Sequence, residues 1–400
     1  MNLLMKRQII IILLAFVWVA AQAQIKCHIE GELKDQTQGT TIIVCPVSVD
    51  LRSSNNYIKT KADEKGNFAC DVETDKMCLY NVFLEEQHDK GAWMTGEFLV
   101  ENKATVELLF DENSWKVISG GREQMQKVKM DAKAEKLYLG KMKEISKKRD
   151  TELRPRAEEL IAQGKNPEED SLLMKQSEKY DNEYEQLYFA YRTWENEYYK
   201  TNPMLYALYD FAHQMSYTSK RFDEQKTKLM DIYHATYENF HPKDPVHSVI
   251  RTHEAAWKLK PGKPYIDYQV RNTDGKLVSV SSLMRDKVVL VDLWASWCGP
   301  CRRHSKAMIP IYEKYKDKGF TILAIAAERR VEDMQEAMKQ DGYPWASLLE
   351  LNQENHIWEK NGAGQGGGAM FLVDRDGIIL STSTEAEELE PLIKKALNIE

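Results

Sequence analysis

The feature that most constrains the fold of this chain is an apolar run followed directly by two closely spaced cysteines. Residues 288–293 read VVLVDL, and the segment WASWCGPC follows at residues 294–301, so that two residues separate Cys298 from Cys301. A short apolar run of this kind predicts a buried strand. Pro300 suits the first turn of a helix, where its missing N–H has no partner to lose. The segment therefore predicts a pair of cysteines at a strand-to-helix junction.

The position of the pair predicts redox chemistry. Backbone N–H groups at a helix N-terminus are unpaired and the helix dipole is positive there, so we expect Cys298 to ionise near pH ~7 instead of ~8.5. Cys298 is the predicted nucleophile, and Cys301 is the predicted resolving thiol that closes a disulfide. The alternative is half of a zinc site, but the chain has no second Cys-x-x-Cys and no His-x3-His to complete one.

Residues 289–303 (VLVDLWASWCGPCRR) resemble the active-site segment of the thioredoxin superfamily, and within it the secreted TlpA/ResA-like thiol-disulfide oxidoreductases. Residues 274–283, 312–325 and 371–379 are similar to further segments of that family. The resemblance covers about residues 265–400. It implies an α/β thioredoxin-like domain that exchanges thiols and disulfides with protein substrates, and it implies neither a cofactor nor a metal.

Asp292 is the third candidate catalytic residue. It lies six residues before Cys298 in an otherwise apolar strand, which is an unusual place for a carboxylate. Burial would raise the pKa of its carboxyl and make it a proton relay to Cys301. By resemblance, thioredoxin-like proteins keep a buried acid at this place. The alternative is a structural, hydrogen-bonded aspartate.

Five residues are predicted to contact substrate. Trp297, Gly299 and Pro300 flank the cysteines, whereas Gly368 and Ala369 lie in the loop that the family uses to dock substrates. The family places a cis-proline in that loop, and this chain has Gly368 there. Glycine would fix no backbone conformation, so the resemblance does not extend to the substrate range.

The charged residues near the dithiol have two possible interpretations. His304, three residues after Cys301, is either a titrating neighbour of the dithiol or a solvated helix residue. Glu328, Arg329 and Arg330 follow the second core strand, where functional sites of α/β folds form, but three adjacent charges are typical of a solvated loop.

The N-terminal residues 1–23 are predicted to be a signal peptide. Lys6 and Arg7 precede the apolar residues 9–20, and residues 21–23 (AQA) form a cleavage site. The protein is therefore expected in the periplasm, with a retained membrane anchor as the alternative. Cleavage removes two of the 55 basic residues and leaves 53 against 62 acidic ones, a net charge of −9. Without a basic cluster, nucleic acid is not an expected partner.

Composition predicts two further regions before the redox domain. The redox domain occupies residues 260–400 and begins with the linker KPGKP. Residues 24–112 alternate apolar and polar side chains and predict a small antiparallel sandwich. It resembles the accessory domain often fused ahead of TlpA-like domains. Residues 120–245 predict a helical module. In it, aromatic residues recur every three or four positions from Tyr180 to Tyr198 and form either a packed seam or a binding groove.

Four more cysteines lie in the β-rich region: Cys27, Cys45, Cys70 and Cys78. They are predicted to be buried thiols or to form one or two bridges, and three pairings are possible. The alternative is that one pair exchanges electrons with Cys298 and Cys301.

The leading hypothesis is an exported oxidoreductase that reduces disulfides of exported proteins, apocytochrome c among the candidates, with a membrane electron donor. The Gly-Pro spacer resembles that of low-potential thioredoxins. One alternative is a peroxiredoxin, but Ala295 has no hydroxyl to orient a peroxide. The other is a non-enzymatic scaffold, which the missing proline and the large N-terminal half favour.

Overall fold

The computed structural model describes residues 24–34, 39–49, 55–91, 95–272, 274–364 and 367–399. The predicted signal peptide lies outside the described residues. The chain divides into two compact units between Ala207 and Leu208. Within the described ranges, no helix is both long enough and apolar enough to cross a membrane.

The first unit begins with a sandwich of two four-stranded sheets. Its strands are β1 (Ile25–Leu33), β2 (Thr41–Pro46), β3 (Ile58–Lys61), β4 (Asn67–Thr74), β5 (Cys78–Leu84), β6 (Gly96–Val100), β7 (Thr105–Asp111) and β8 (Ser114–Ser119), and a short helix, α1 (Glu85–Asp89), follows β5. One sheet has the order β4-β1-β7-β8 and the other β3-β2-β5-β6. Alternate side chains of the strands, Ile29 and Val106 among them, are buried in the core.

The prediction of an antiparallel sandwich is wrong for one pair of strands. β1 and β7 run parallel, with His28 opposite Thr105. Parallel neighbours need a long crossover connection, and here five strands, β2 to β6, lie in the connection between them. The alternating pattern predicts that each segment is a strand, but it carries no information about which strands become neighbours.

Three helices follow the sandwich: α2 (Arg122–Ala134), α3 (Gly140–Ala162) and α4 (Ser171–Thr201), with a π-helical turn at Glu135–Leu139. α4 begins at Ser171, because Asp170 is its N-cap and accepts the N–H of Leu173 at 2.9 Å. Tyr191 and Trp194 lie against Tyr138 of the π-helical turn, with ring centroids 6.1 and 5.8 Å away. These rings form a packed seam.

Helices and a mixed sheet form the second unit. Helix α5 (Leu205–Ser216) spans the boundary of the units, and α6 (Asp223–Ile232) and α7 (Val246–Lys258) follow it. α7 lies beyond the predicted end of the helical region. Pro245 is its N-cap residue, a position at which no N–H is required for the helix.

The sheet has seven strands: β9 (Gln269–Arg271), β10 (Leu277–Ser279), β11 (Val288–Trp294), β12 (Phe320–Glu328), β13 (Ser347–Leu351), β14 (Ala369–Val373) and β15 (Ile379–Ser381). Their order is β10-β9-β13-β12-β11-β14-β15. The helices around it are α8 (Val280–Met284), α9 (Gly299–Ala307), α10 (Ile309–Tyr315), α11 (Val331–Asp341), α12 (Ile357–Lys360) and α13 (Ala386–Ala396). β11, β12 and β13 are parallel, which confirms the predicted α/β fold of this region.

The inner strand β11 positions the site. It pairs with β12 on one side and β14 on the other, and all seven of its side chains are buried. The rigid strand ends at Trp294, whose indole N–H donates to the Ser347 hydroxyl at 3.0 Å. The loop from Ala295 to Cys298 therefore begins at a residue that is anchored in the core.

Candidate active site

The two cysteines lie at the junction of β11 and α9, where the sequence predicts them. Cys298 is the N-cap residue of α9, and Cys301 lies in its first turn. Their sulfur atoms form a disulfide, and only 4% of Cys298 and 8% of Cys301 is exposed. The pair is thus held at the positive end of a helix.

Each sulfur atom accepts one backbone N–H group. The N–H of Cys301 donates to Sγ of Cys298 at 3.3 Å, in the way that N-cap side chains accept the first amides of a helix. The N–H of Gly368, the residue before β14, donates to Sγ of Cys301 at 3.1 Å. Donors of this kind favour the negatively charged form of a sulfur atom.

Asp292 is buried in β11, with 1% of its surface exposed. Burial raises the pKa of its carboxyl to about 7, and a hydrogen bond from Ser305 partly offsets this. The Ser305 hydroxyl lies 2.6 Å from Oδ2 of Asp292 and 3.0 Å from the carbonyl oxygen of Cys301. Among the described residues, Oδ1 of Asp292 has no hydrogen-bond partner. One serine therefore links the buried acid to the turn that carries Cys301.

The loop before Cys298 is held from two sides. Ser296 donates its backbone N–H and its hydroxyl to the carboxylate of Glu328, the hydroxyl at 2.8 Å. Arg302 donates to the carbonyl oxygen of Ser296 at 3.2 Å and forms a two-pronged ion pair with Asp341. Glu328 is buried, which raises the pKa of its carboxyl. The prediction that it belongs to a solvated loop is therefore wrong.

The residues that flank the disulfide on its outer side are exposed. Trp297 is 62% exposed, and Gly299 and Pro300 are exposed as well. Ala369 begins β14 and pairs with Leu293 of β11. Gly368 precedes it and lies so close to β11 that a Cβ atom there would be 1.6 Å from the carbonyl oxygen of Leu293. Trp297, Gly299, Pro300 and Gly368 thus adjoin the dithiol, and a side chain at position 368 would collide with β11.

His304 takes no part in this arrangement. Its partly buried ring lies with Nδ1 3.7 Å from Oε1 of Glu385. In the described part of the chain, no group of three or more His, Cys, Asp or Glu side chains is placed to hold a metal ion.

The sequence did not point to three residues that hold the site: Ser305, Ser296 and Trp358, whose indole N–H donates to the carbonyl oxygen of Gly367 at 3.2 Å. Ser305 follows Cys301 by four residues on a helix, so their shared helix face was a signal that could have found it. Ser296 and Trp358 act through partners 32 and 9 residues away, and no local pattern points to them.

None of the four sandwich cysteines, all of which the structure describes, is in a disulfide, so none of the three pairings is formed. Burial raises the pKa of the Cys45 and Cys70 thiols to about 11 and also raises that of Cys27. Thiols of such high pKa are almost entirely protonated and unreactive at neutral pH.

Comparison with known proteins agrees with this geometry. Residues 260–397 match the Redoxin family. The thiol-disulfide oxidoreductase ResA of Bacillus thuringiensis (strain Al Hakam) is 28% identical over 141 residues, which cover 34% of this chain and 79% of that protein. ResA of Bacillus anthracis matches with the same identity and coverage.

Solved structures also match this part of the chain. The crystal structure of the thioredoxin domain of a thiol-disulfide oxidoreductase from Bacteroides vulgatus is 28% identical, with a TM-score of 0.32, and the match covers 35% of this chain and 99% of that one. The solution structure of a thiol:disulfide interchange protein from Bacteroides sp. is 28% identical, with a TM-score of 0.32, and the match covers 35% and 92%. Over residues 260–397 this chain is thus similar to the Redoxin family, and this region has a thioredoxin-like fold.

Proposed function

We propose that this protein is an exported thiol-disulfide oxidoreductase that reduces disulfide bonds of other exported proteins. The observation that carries the proposal is the Cys298–Cys301 disulfide at the N-terminus of α9, in which each sulfur accepts a backbone N–H. Such donors stabilise the thiolates that attack and leave in disulfide exchange.

The reaction follows from the two positions. The Cys298 thiolate attacks one sulfur of the substrate disulfide, the substrate S–S bond breaks, and one substrate sulfur leaves as a thiolate. Cys301, after losing its proton, attacks Sγ of Cys298, and the second substrate sulfur leaves. Two electrons pass to the substrate, and the Cys298–Cys301 disulfide remains.

Asp292 is the proposed acceptor of the Cys301 proton. A carboxyl whose pKa is raised to about 7 is about half ionised at neutral pH and can therefore both take and return a proton. Its unpartnered Oδ1 supports this role, and Ser305 fixes its other oxygen. Exposed Trp297 supplies an apolar surface against which a polypeptide substrate can pack.

The location and partners belong to the same proposal. Residues 1–23 direct export to the periplasm, an oxidising compartment, so a membrane electron donor must restore the dithiol. Apocytochrome c and other exported proteins with oxidised cysteines are the candidate substrates.

The test is the reduction potential of the Cys298–Cys301 pair in the mature protein, measured by equilibration in glutathione redox buffers. We expect a reversible two-electron couple near thioredoxin's, roughly −270 mV. A value near ~−120 mV would instead indicate an oxidant that introduces disulfides. The absence of any reversible couple would overturn the oxidoreductase proposal and leave a scaffold.

A further inference from the structure

One peptide group beside the dithiol is held at both ends. Its carbonyl oxygen belongs to Gly367 and accepts the indole N–H of Trp358 at 3.2 Å. Its N–H belongs to Gly368 and donates to Sγ of Cys301 at 3.1 Å. The two hydrogen bonds fix the plane of this peptide, so its dipole is directed at the sulfur atom.

The approach of this peptide to the dithiol depends on glycine. A Cβ atom at position 368 would lie 1.6 Å from the carbonyl oxygen of Leu293 and 3.2 Å from Sγ of Cys301. Close backbone approach is a usual reason for glycine at a site. A proline at this position would have no N–H to give to the sulfur.

Trp358 is itself anchored, which makes the orientation of the peptide rigid. It lies in α12 and is only 7% exposed. The neighbouring Glu359 accepts hydrogen bonds from Arg251 and Ser248 of α7, the latter at 2.5 Å. Helix α7 of the same unit therefore holds the short helix that holds the Gly367–Gly368 peptide.

We propose that the Gly367–Gly368 peptide is a thiolate-stabilising donor to Cys301 and that Trp358 is the residue that positions it. This inference rests on the proposed function. When a substrate thiolate attacks Sγ of Cys298 in the disulfide form, the Cys298–Cys301 bond breaks and its electron pair leaves on Cys301. The Gly368 N–H lies where that negative charge develops. In the reverse direction, the same N–H increases the fraction of Cys301 that is ready to attack.

The first experiment removes the anchor and leaves Gly368 in place. In the Cys298→Ser background, where Cys301 is the only thiol of the pair, Trp358→Phe should lower the Cys301 thiolate fraction at a fixed pH by about threefold to tenfold, because a hydrogen bond to a charged group is weakened. The thiolate is followed by its ultraviolet absorbance, with the four sandwich cysteines replaced by alanine in all samples.

Trp345→Phe is the matched control. Trp345 is 6% exposed, lies in the same domain, and has an indole N–H without a hydrogen-bond partner among the described residues. The charged and titratable groups around α9, namely Asp292, Arg302, Asp341 and Tyr343, remain in both variants. Equal thiolate fractions in the two variants would overturn the inference.

A second measurement needs no change at Trp358. In glycine-labelled Cys298→Ser protein, the Gly368 amide resonance should shift as Cys301 titrates, whereas that of exposed Gly275 should not. A Gly368 resonance that does not respond to the titration would also contradict the inference. The thiolate absorbance and the amide resonance are both independent of the reversible redox couple that tests the proposed function. The further inference and the proposed function can therefore fail separately.

Discussion

The sandwich and the redox domain both bury cysteines, but they surround the sulfur atoms differently. In the sandwich, burial raises the pKa of the Cys45 thiol to about 11, and burial together with the charges of Asp71 and Cys27 raises that of half-buried Cys70 to about 11. In the redox domain, Cys298 and Cys301 are buried as Cys45 is, yet each sulfur accepts a backbone N–H.

The difference shows that burial does not make a cysteine reactive. Desolvation penalises the thiolate in both regions, and hydrogen-bond donors aimed at the sulfur oppose that penalty. A helix N-terminus supplies such a donor to Cys298 and a glycine loop supplies one to Cys301, whereas in the sandwich a backbone hydrogen bond from Glu101 lowers the pKa of Cys27 by less than burial raises it. The contrast between these two environments is the basis of the predictions that follow.

The largest expected effect comes from removing one sulfur atom in each region. Cys298→Ser should lower the rate of insulin disulfide reduction by at least about 10³-fold, because the attacking thiolate is lost. Cys70→Ser in the sandwich should leave the rate within about twofold. If Cys70→Ser were as damaging as Cys298→Ser, the sandwich cysteines would belong to the electron path.

Buried and exposed acids should give opposite pH dependence in the two regions. Burial raises the pKa of Asp292 from 3.8 to about 7, so the folded state holds a proton that the unfolded chain releases. The stability of the redox domain should therefore fall as pH rises from about 4 to about 7 and stay level above. Asp292→Asn should remove this slope and raise the local unfolding free energy at pH 8 by on the order of 4 kcal/mol.

Asp63 in the sandwich is the comparison for that prediction. It is exposed, and N–H groups of Asn67 and Lys65 lower the pKa of its carboxyl. Its contribution is therefore present above the unfolded pKa and is lost as pH falls. Hydrogen exchange of amides in β11 and β4, in the disulfide form, reports each region separately. Slopes of the same sign in both regions would contradict the assignment of Asp292.

The smallest expected effect concerns hydroxyl groups. Ser296→Ala removes a hydrogen bond to the buried carboxylate of Glu328 and should destabilise the redox domain by about 1.5 kcal/mol, with up to a ~10-fold loss of turnover. Thr60→Val in the sandwich removes a hydroxyl that donates to the neutral carbonyl of Ala69, and should cost under about 1 kcal/mol. If hydrogen exchange shows that Ser296→Ala and Thr60→Val lower the free energy of unfolding equally, the distinction between charged and neutral acceptors is wrong.

The sequence predicted the parts of the site that local pattern determines. The apolar run of β11, Asp292 and the dithiol lie within fourteen consecutive residues, 288–301, so strand, turn and helix follow from their order. The α/β fold of the C-terminal region also followed from alternating strands and helices.

The missed parts depend on which strands become neighbours. β11 and β12 are parallel, and Trp294 of β11 lies opposite Ala326 of β12. Ser296 follows Trp294 by two residues and Glu328 follows Ala326 by two residues, so this register brings Ser296 and Glu328 together. A charged triplet after β12 looks solvated until that register is known. In the same way, β1 and β7 read as ordinary strands, and nothing in their sequences shows that they pair in parallel.

The most direct test compares both environments in one sample. The reduced mature protein is alkylated with iodoacetamide across a range of pH values, and the rate at each cysteine is read by mass spectrometry. We predict that the rate at Cys298 levels off above pH ~7 and exceeds the rates at Cys45 and Cys70 by roughly 10²-fold at neutral pH. Similar rates and inflections for Cys298 and the sandwich cysteines would contradict the claim that backbone donors, and not burial, set thiol reactivity here.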